Sequence, residues 1–352
     1  MIKMALEPQL EVKLFCNNHG FRPGRNPNDT IEHLSSLLLN RRQVVANVNL
    51  SNSLLEFDNH IFLEKIKAPP IIRQKIKKWL LRGIVQEYLA QSSSFDNHVA
   101  DLPRGCILAP LLVNVVLHDI QLEIHEQIVG SSKNLQASGI ICYGFHCIII
   151  AESQMLLTAS IQKLHSLLLD YGAFLGQGDF DIKYVHSGFN FLNYQIMWNN
   201  TKNISTGLQI VPSSQAIQLF NQQNREIIQM LKSGPLKLLI RRLKVRILNW
   251  GEFYVQYNSK RTFYYIDQVL FSQIRAAILR RHPNKSKHWI TQKYFPSKSL
   301  YYFKSHYYQA SWVLTDRTSL VQEFLPKMQW LKDANYVKVI ESKSIYDTDF
   351  LY

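Results

Sequence analysis

Acidic residues are the scarce class in this 352-residue chain: 26 Asp and Glu stand against 40 Lys and Arg, leaving a formal charge of +14. A single-sign excess on that scale points to a polyanionic partner, either nucleic acid or an anionic membrane surface. Cysteine is almost missing. The four present, Cys16, Cys106, Cys142 and Cys147, include no CxxC pair. Cys142 and Cys147 lie five apart in an apolar run, which as one strand puts them on opposite faces, so a shared metal is not expected. All four are read as reduced, buried thiols. No stretch reaches the ~18 consecutive apolar residues that a membrane span needs. The N-terminus MIKMALEPQLEVKLF lacks both the apolar h-region of a signal peptide and the Arg/Ser-rich character of a transit peptide. The chain is expected to be soluble or peripheral, and made where it works if that is an organelle. Glycine and proline are few, 14 and 12. Beside abundant Phe, Tyr, Ile, Asn and Lys, that scarcity fits an AT-rich organellar genome.

What is there is enough to fold. Hydrophobic residues make up 46% and charged ones 19%, unlike a disordered basic tail. The length allows two or three domains of about 100–200 residues each and excludes small disulfide- or metal-stapled scaffolds. The charge is uneven. Residues Ser213 to Ser297 hold 15 Lys/Arg and only three acids, Glu226, Glu252 and Asp267, a net +12 in 85 residues that leaves +2 for all the rest. The basic partner site is therefore expected in one domain.

Before Ser213 the pattern is mixed α/β. The stretch IIRQKIKKWLLRG reads as a basic, apolar-periodic helix closing at Gly83, with IVQEYLA following. ILAPLLVNVVLHDIQLEIHEQI reads as a long helix entered through Pro110. ASGIICYGFHCIIIAES reads as two strands turning at Gly144. MLLTASIQKLHSLLLDYG is a further helix, and HSGFNFLNYQIMW an aromatic strand pair. After Ser213 the pattern is helical. Leu239, Ile240, Leu243, Ile247, Trp250 and Tyr254 share one stripe, with Lys237, Arg241, Arg242, Lys244 and Arg246 spread over the other side. In TFYYIDQVLFSQIRAAILRR the inward set is read as Tyr265, Val269, Ile274 and Ile278. Arg275, Arg280 and Arg281 sit near the C-terminal end of that helix, where cations also suit its dipole.

The strings LKVRILNWGEFY (Leu243 to Tyr254), KRTFYYIDQVL (Lys260 to Leu270) and RRHPNKSKHWITQKYF (Arg280 to Phe295) resemble the maturase-specific domain, domain X, of group II intron-encoded proteins. The tail KVIESKSIYDTDFLY resembles the segment that follows that domain, and no appended nuclease module is expected. Upstream, NNHGFRPGRNPNDTI, DLPRGCILAPLLVNVVLHDI and GFNFLNYQI resemble the family's reverse transcriptase domain, so the likeness runs from about Pro8 to Tyr352. It implies an α/β (α+β) polymerase-like fingers/palm domain over 1–212 and an all-α thumb/maturase domain over 213–300. A C-terminal extension over 301–352 follows. The expected location is an organelle, a plastid (chloroplast) first and a mitochondrion as the alternative.

The departures from the family pattern concern chemistry. Two Mg²⁺ ions on a polymerase need carboxylate oxygens, and the family's YADD hairpin supplies two Asp. Here the string is Tyr143, Gly144, Phe145, His146. The third family Asp maps to ANVNLSNSLLEFDNH, with Asn47 and Asn49 at the candidate positions and Glu56 and Asp58 displaced. The motif Gln has become Arg104. Asn49, Phe145 and His146 are thus read as vestigial polymerase positions, with no catalytic residue, cofactor or metal expected. Imidazole at His146 suits Zn²⁺ better than Mg²⁺, but no further ligand accompanies it. His282 and His288 likewise have no Cys or third His beside them.

RNA contact is assigned to Arg241, Arg242, Lys244 and Arg246, because an ordinary solvated helix face mixes both signs. Lys260, Arg261, Arg275, Arg280 and Arg281 extend that set along the next helix. The basic loop and helix that follow add His282, Lys285, Lys287, Trp289, Lys293 and Tyr294. Trp250 and Tyr254 are read as core, whereas Trp289, Tyr294 and Phe295 are left open between core and stacking. The resemblance implies an RNA-binding splicing cofactor whose partner is a group II intron, its own host intron foremost. The competing readings are an active reverse transcriptase supporting intron mobility and a basic amphipathic membrane-surface protein. A homodimer is left open.

Overall fold

The computed structural model describes residues 1–38, 43–56, 58–85, 107–131, 138–198, 207–229, 234–257, 259–317, 322–332, 344 and 346. Arg104, Cys106, most of IVQEYLA, and the C-terminal string apart from Ser344 and Tyr346 lie outside the described residues. The chain divides into two compact units, one built on Met1–Leu192 and the other on Gln209–Tyr336 with Asn193–Gln195.

The first unit is α/β. Helices α1 (Ile2–Glu11) and α2 (Pro27–Leu37) lead into strand β1 (Val44–Asn49), then α3 (Ser51–Glu56), α4 (Asn59–Lys65) and α5 (Pro70–Leu80). After α6 (Ala109–Ser131) come the hairpin β2 (Gly139–Tyr143) and β3 (His146–Ala151), helix α7 (Gln154–Asp170) and strand β4 (Phe180–Tyr184). The strands form one antiparallel sheet in the order β2-β3-β1-β4. Local chemistry explains most boundaries. Asn26 and Asp29 form a reciprocal capping box with Pro27 in the first turn of α2. Ser153 caps α7. The 23-residue α6, with Pro110 in its first turn, is buried along most of its length and packs against α1, α4, α7 and β2.

The hairpin turns at Gly144, whose φ of +62° is strained for any side-chain-bearing residue. That turn also corrects the reading of the cysteines. Cys142 and Cys147 are direct cross-strand partners, with Cα atoms 4.1 Å apart, and their sulfurs are joined as a disulfide. They share one face and are not free thiols, because the reversal at Gly144 and Phe145 cancels their five-residue separation. Cys16 is free but exposed.

The string NNHGFRPGR builds a buried polar brace behind this hairpin. Asn18 donates to the side chain of Asn114 on α6 and accepts from the backbone N–H groups of Gly20 and Gly144. Cys142 N donates to Asn17 O, and His19 N to Cys142 O. Arg22 donates to Glu11 Oε1 at 2.7 Å and to the carbonyls of Phe15 and Asn18, with both charged side chains almost wholly buried.

Strands β5 (Phe189–Phe191), β6 (Tyr194–Trp198) and β7 (Leu208–Pro212) form a three-stranded sheet, of which β5 and β6 are the expected aromatic pair. The second unit is mainly helical, with α8 (Ser214–Gln229), α9 (Leu236–Tyr254), α10 (Lys260–Arg281) and α11 (Lys287–Tyr294). The hairpin β8 (Ser299–Phe303) and β9 (His306–Ala310) follows, then the short pair β10 (Thr315–Asp316) and β11 (Glu323–Phe324) and a 3-10 turn at Met328–Trp330. The α9 stripe is as read, with Leu239, Ile240, Leu243, Ile247 and Tyr254 buried. Trp250 is half-buried, stacked on Phe220 at 4.7 Å. The α10 stripe differs from the reading. Its buried residues are Phe263, Ile266, Leu270, Ile274 and Ile278, while Tyr265 is 54% exposed and Val269 only half-buried. The true spacing of three and then four keeps one face; Tyr265 falls outside it.

Candidate nucleic-acid interface

Asn49, Phe145 and His146, the positions read from sequence as vestigial, come together in the first unit. Asn49 stands directly opposite His146 in the β1–β3 register, and His146 opposite Tyr143 in β2–β3. Phe145, in the turn, is buried, stands tilted against His146 at 4.7 Å, and accepts at its carbonyl from Leu50 N. The side chains here are an amide, a phenyl ring and an imidazole. The amides serve local structure: Asn49 Oδ1 accepts from the N–H and hydroxyl of Ser51, and Asn47 Nδ2 donates to Asn190 O.

The nearby acids are similarly occupied. Glu56 accepts from Phe174 N, Asp58 caps α4 through His60 N, and Asp181 pairs with Lys183. Burial pushes the Tyr143 phenol up to about 12, so it stays protonated at neutral pH. Among the described residues no three His, Cys, Asp or Glu side chains form a group that could hold a metal ion.

The second unit carries most of the positive charge. Arg241 and Arg242 project from the exposed side of α9. Arg241 makes a two-pronged contact with Glu323, the closest approach being 2.7 Å, and Lys237 joins the same carboxylate at 3.3 Å. The hydrogen bond from Arg241 leads in holding the Glu323 carboxyl below its usual range. This acid lies outside the 85-residue basic segment, so sequence arithmetic missed it. Lys244 lies over the Phe324 ring and Arg246 over that of Phe220. Burial lowers the pKa of Arg246, against the pull of Glu226, and among the described residues its Nε has no hydrogen-bond partner.

Two further acids of this unit are engaged as well. Asp267 caps the 3-10 turn by accepting from Met328 N and Gln329 N, and Glu252 pairs with Lys304.

The predicted residues on α10 are spread out. Lys260 and Arg261 begin the helix and Arg280 and Arg281 end it, about 30 Å apart at 1.5 Å per residue. Arg275 is half-buried between them, and Arg281 donates to Gly234 O at 2.9 Å. A compact cluster does form at the C-terminal end. Ser286 caps α11 by accepting from Trp289 N. Lys285 and Lys293 then lie over the Trp289 ring, 5.4 and 4.7 Å from its centroid, with His282 at its edge. Lys287 and His288 are exposed beside them.

Within that cluster the ring of Tyr294 is 6% exposed, and its hydroxyl meets His282 Nε2 at 2.7 Å. Tyr294 and Phe295 are packing residues here. Trp289 alone of the three aromatics keeps a half-exposed face. Burial, then the charges of Lys293, Arg281 and Lys285, lower the pKa of His282.

Residues 217–295 match the model of the group II intron maturase-specific domain. No curated protein matches the chain. Among solved structures it is similar to telomerase from Candida albicans in complex with a TWJ fragment of telomeric RNA, at 9% identity and a TM-score of 0.37. That likeness covers 81% of this chain and 56% of the other, so the chain spans little more than half the length of the telomerase structure. The matched residues run from α8 through α11.

Proposed function

We propose that the chain is an RNA-binding maturase that assists the folding and splicing of a group II intron and performs no polymerase chemistry. The observation that carries this reading is the coincidence of the maturase-specific match at 217–295 with the acid-poor segment of the chain. Asp267, Glu252 and Glu323, within or beside it, are engaged by groups of the same unit. A group II intron is itself a catalyst, so the protein's task is to bind one folded conformer of the RNA better than the others, which stabilises that conformer by mass action. Cations on α9, α10 and α11 supply phosphate contacts, and Trp289 supplies a ring face for an unpaired base.

The first unit serves as scaffold in this proposal. Nucleotide transfer needs carboxylates to seat two Mg²⁺ ions, and Asn49, Phe145 and His146 offer none. The composition of the chain, which fits an AT-rich organellar genome, makes an organelle the proposed site of action, a plastid first and a mitochondrion as the alternative. The paired test is splicing of a group II intron transcript at low Mg²⁺ and primer extension with Mg²⁺ or Mn²⁺. Faster splicing without extension is the expected result. Template-dependent nucleotide incorporation would instead identify an active reverse transcriptase.

A further inference from the structure

Residues 65–85 contain seven Lys/Arg and no acid, a concentration hidden when the charge is summed over the whole first part of the chain. Lys65 is paired with Asp119 on α6. The other six, Lys67, Arg73, Lys75, Lys77, Lys78 and Arg82, are all exposed. Among the described residues none of these six enters an ion pair. Helix α5 is fixed to the unit by Ile76 and Leu80, which are buried, and by Ile72 and Trp79, partly buried against the same core. At 100° per residue these four form one face. Arg73 and Lys77 then run along one flank, and Lys75, Lys78 and Arg82 along the other.

The bland explanation for basic residues on a helix is its dipole, which accounts for Lys77 and Lys78 in the last turn. It does not account for Arg73, at the fourth helix position, or Lys75, at the centre, both outside the last turn that the dipole favours and with no acid in the first turn to offset them. Arg73 with Lys77 is also a like-charge pair four residues apart on the helix, which is mildly destabilising. Nothing inside the described fold compensates that repulsion.

We propose that α5 is a second RNA-docking surface, separate from the maturase-specific domain, that takes the phosphate backbone of structured RNA. The occupant follows from the chemistry displayed. Two cationic rows with no exposed ring between them contact phosphates and read no base, so binding here is sequence-independent and sensitive to salt. An anionic membrane would need an apolar face to insert, and the apolar face of α5 is turned to the core. Ile71 and Leu81 are exposed, but stand one at each end of the helix with the charges between them. The inference rests on the reading of RNA as the partner.

The test uses the full chain and a folded group II intron transcript over a series of salt concentrations. One variant carries Arg73→Gln, Lys75→Gln, Lys77→Gln, Lys78→Gln and Arg82→Gln, exposed positions where glutamine keeps helix propensity. A second carries Arg280→Gln, Arg281→Gln, Lys285→Gln and Lys293→Gln. A third exchanges Lys and Arg on α5 and keeps the charge. The slope of log K against log [salt] is expected to fall by about 0.7–0.9 for every phosphate that the first variant no longer neutralises, with the thermal melt unchanged and the third variant binding like wild type. A wild-type slope in the first variant, with a reduced one in the second, overturns the α5 surface and leaves the maturase reading intact. Wild-type slopes in both overturn the maturase reading as well. Loss of binding to phosphatidylglycerol vesicles with RNA binding retained assigns α5 to a membrane and also overturns the proposal.

Discussion

Asn49 and His146 face each other across neighbouring strands, Asn49 at the end of β1 and His146 at the start of β3. In the polymerase-like fold that the sequence resembles, this is where carboxylates would meet a metal pair. Here the Asn49 amide caps the turn into α3 through Ser51. His146→Ala is therefore expected to leave RNA affinity and the splicing rate within about twofold of wild type, a difference of roughly 0.4 kcal/mol. A tenfold loss of splicing rate with unchanged thermal stability would assign this position a chemical role.

Gly20 packs where a side chain has no room. A Cβ there would be driven into the backbone nitrogen of Gly144 and the carbonyl carbon of Tyr143, neither of which can swing aside. Gly20→Ala should destabilise the first unit by on the order of 3 kcal/mol, read as a lower urea midpoint. An unchanged midpoint would show that the brace formed by Asn18 and Asn114 is looser than the hydrogen bonds imply.

Glu323 restrains two cations that would otherwise be available to a phosphate backbone, Arg241 and Lys237. Glu323→Gln is expected to tighten RNA binding and steepen its salt dependence by up to about 0.7–0.9 for each cation released. Arg241→Ala should accordingly weaken binding less in the wild-type background than in the Glu323→Gln background. Equal losses of affinity in a filter-binding titration would mean that Arg241 leaves Glu323 when RNA arrives.

Acid lability is the fourth expectation. Burial first of all lowers the pKa values of His118 and His125 below the ordinary 6.5. The folded state therefore binds fewer protons there than the unfolded one, and the stability present above pH 6.5 is lost as pH falls through the folded values. Glu11, Asp29 and Asp267 are raised from their carboxylate values, chiefly by burial, and act in the opposite sense. Urea midpoints should thus fall as pH drops from 7.5 to below 6.5, and less so in His125→Gln. A flat profile over that interval would contradict the burial of these rings.

Much of this architecture is legible in local pattern. Pro110, Gly144 and the stripe from Leu239 to Tyr254 each carry their information within a few residues, through first-turn geometry, a positive φ and helical periodicity. What escapes a sequence reading is long-range or averaged. The contact between Arg241 and Glu323 spans 82 residues, whereas the pairing of Cys142 with Cys147 follows from the turn at Gly144 and is missed when their spacing is counted along one strand. Tyr265 reads as inward because an aromatic in an apolar helix resembles core, yet Phe263 and Ile266 hold that face. The charge of α5 vanishes into a sum with a net acidic remainder. Tyr294 matches a family string closely, but its burial shows that a matched position can serve packing.

The central claim is that intron RNA is the partner, and crosslinking the RNA held by this protein in the cell, followed by sequencing, tests it most directly. The account predicts strong enrichment of one or a few group II introns over exons and other transcripts, lost together with charge at Arg280, Arg281, Lys285 and Lys293. RNA recovered in proportion to its abundance, with no intron enriched, would contradict it.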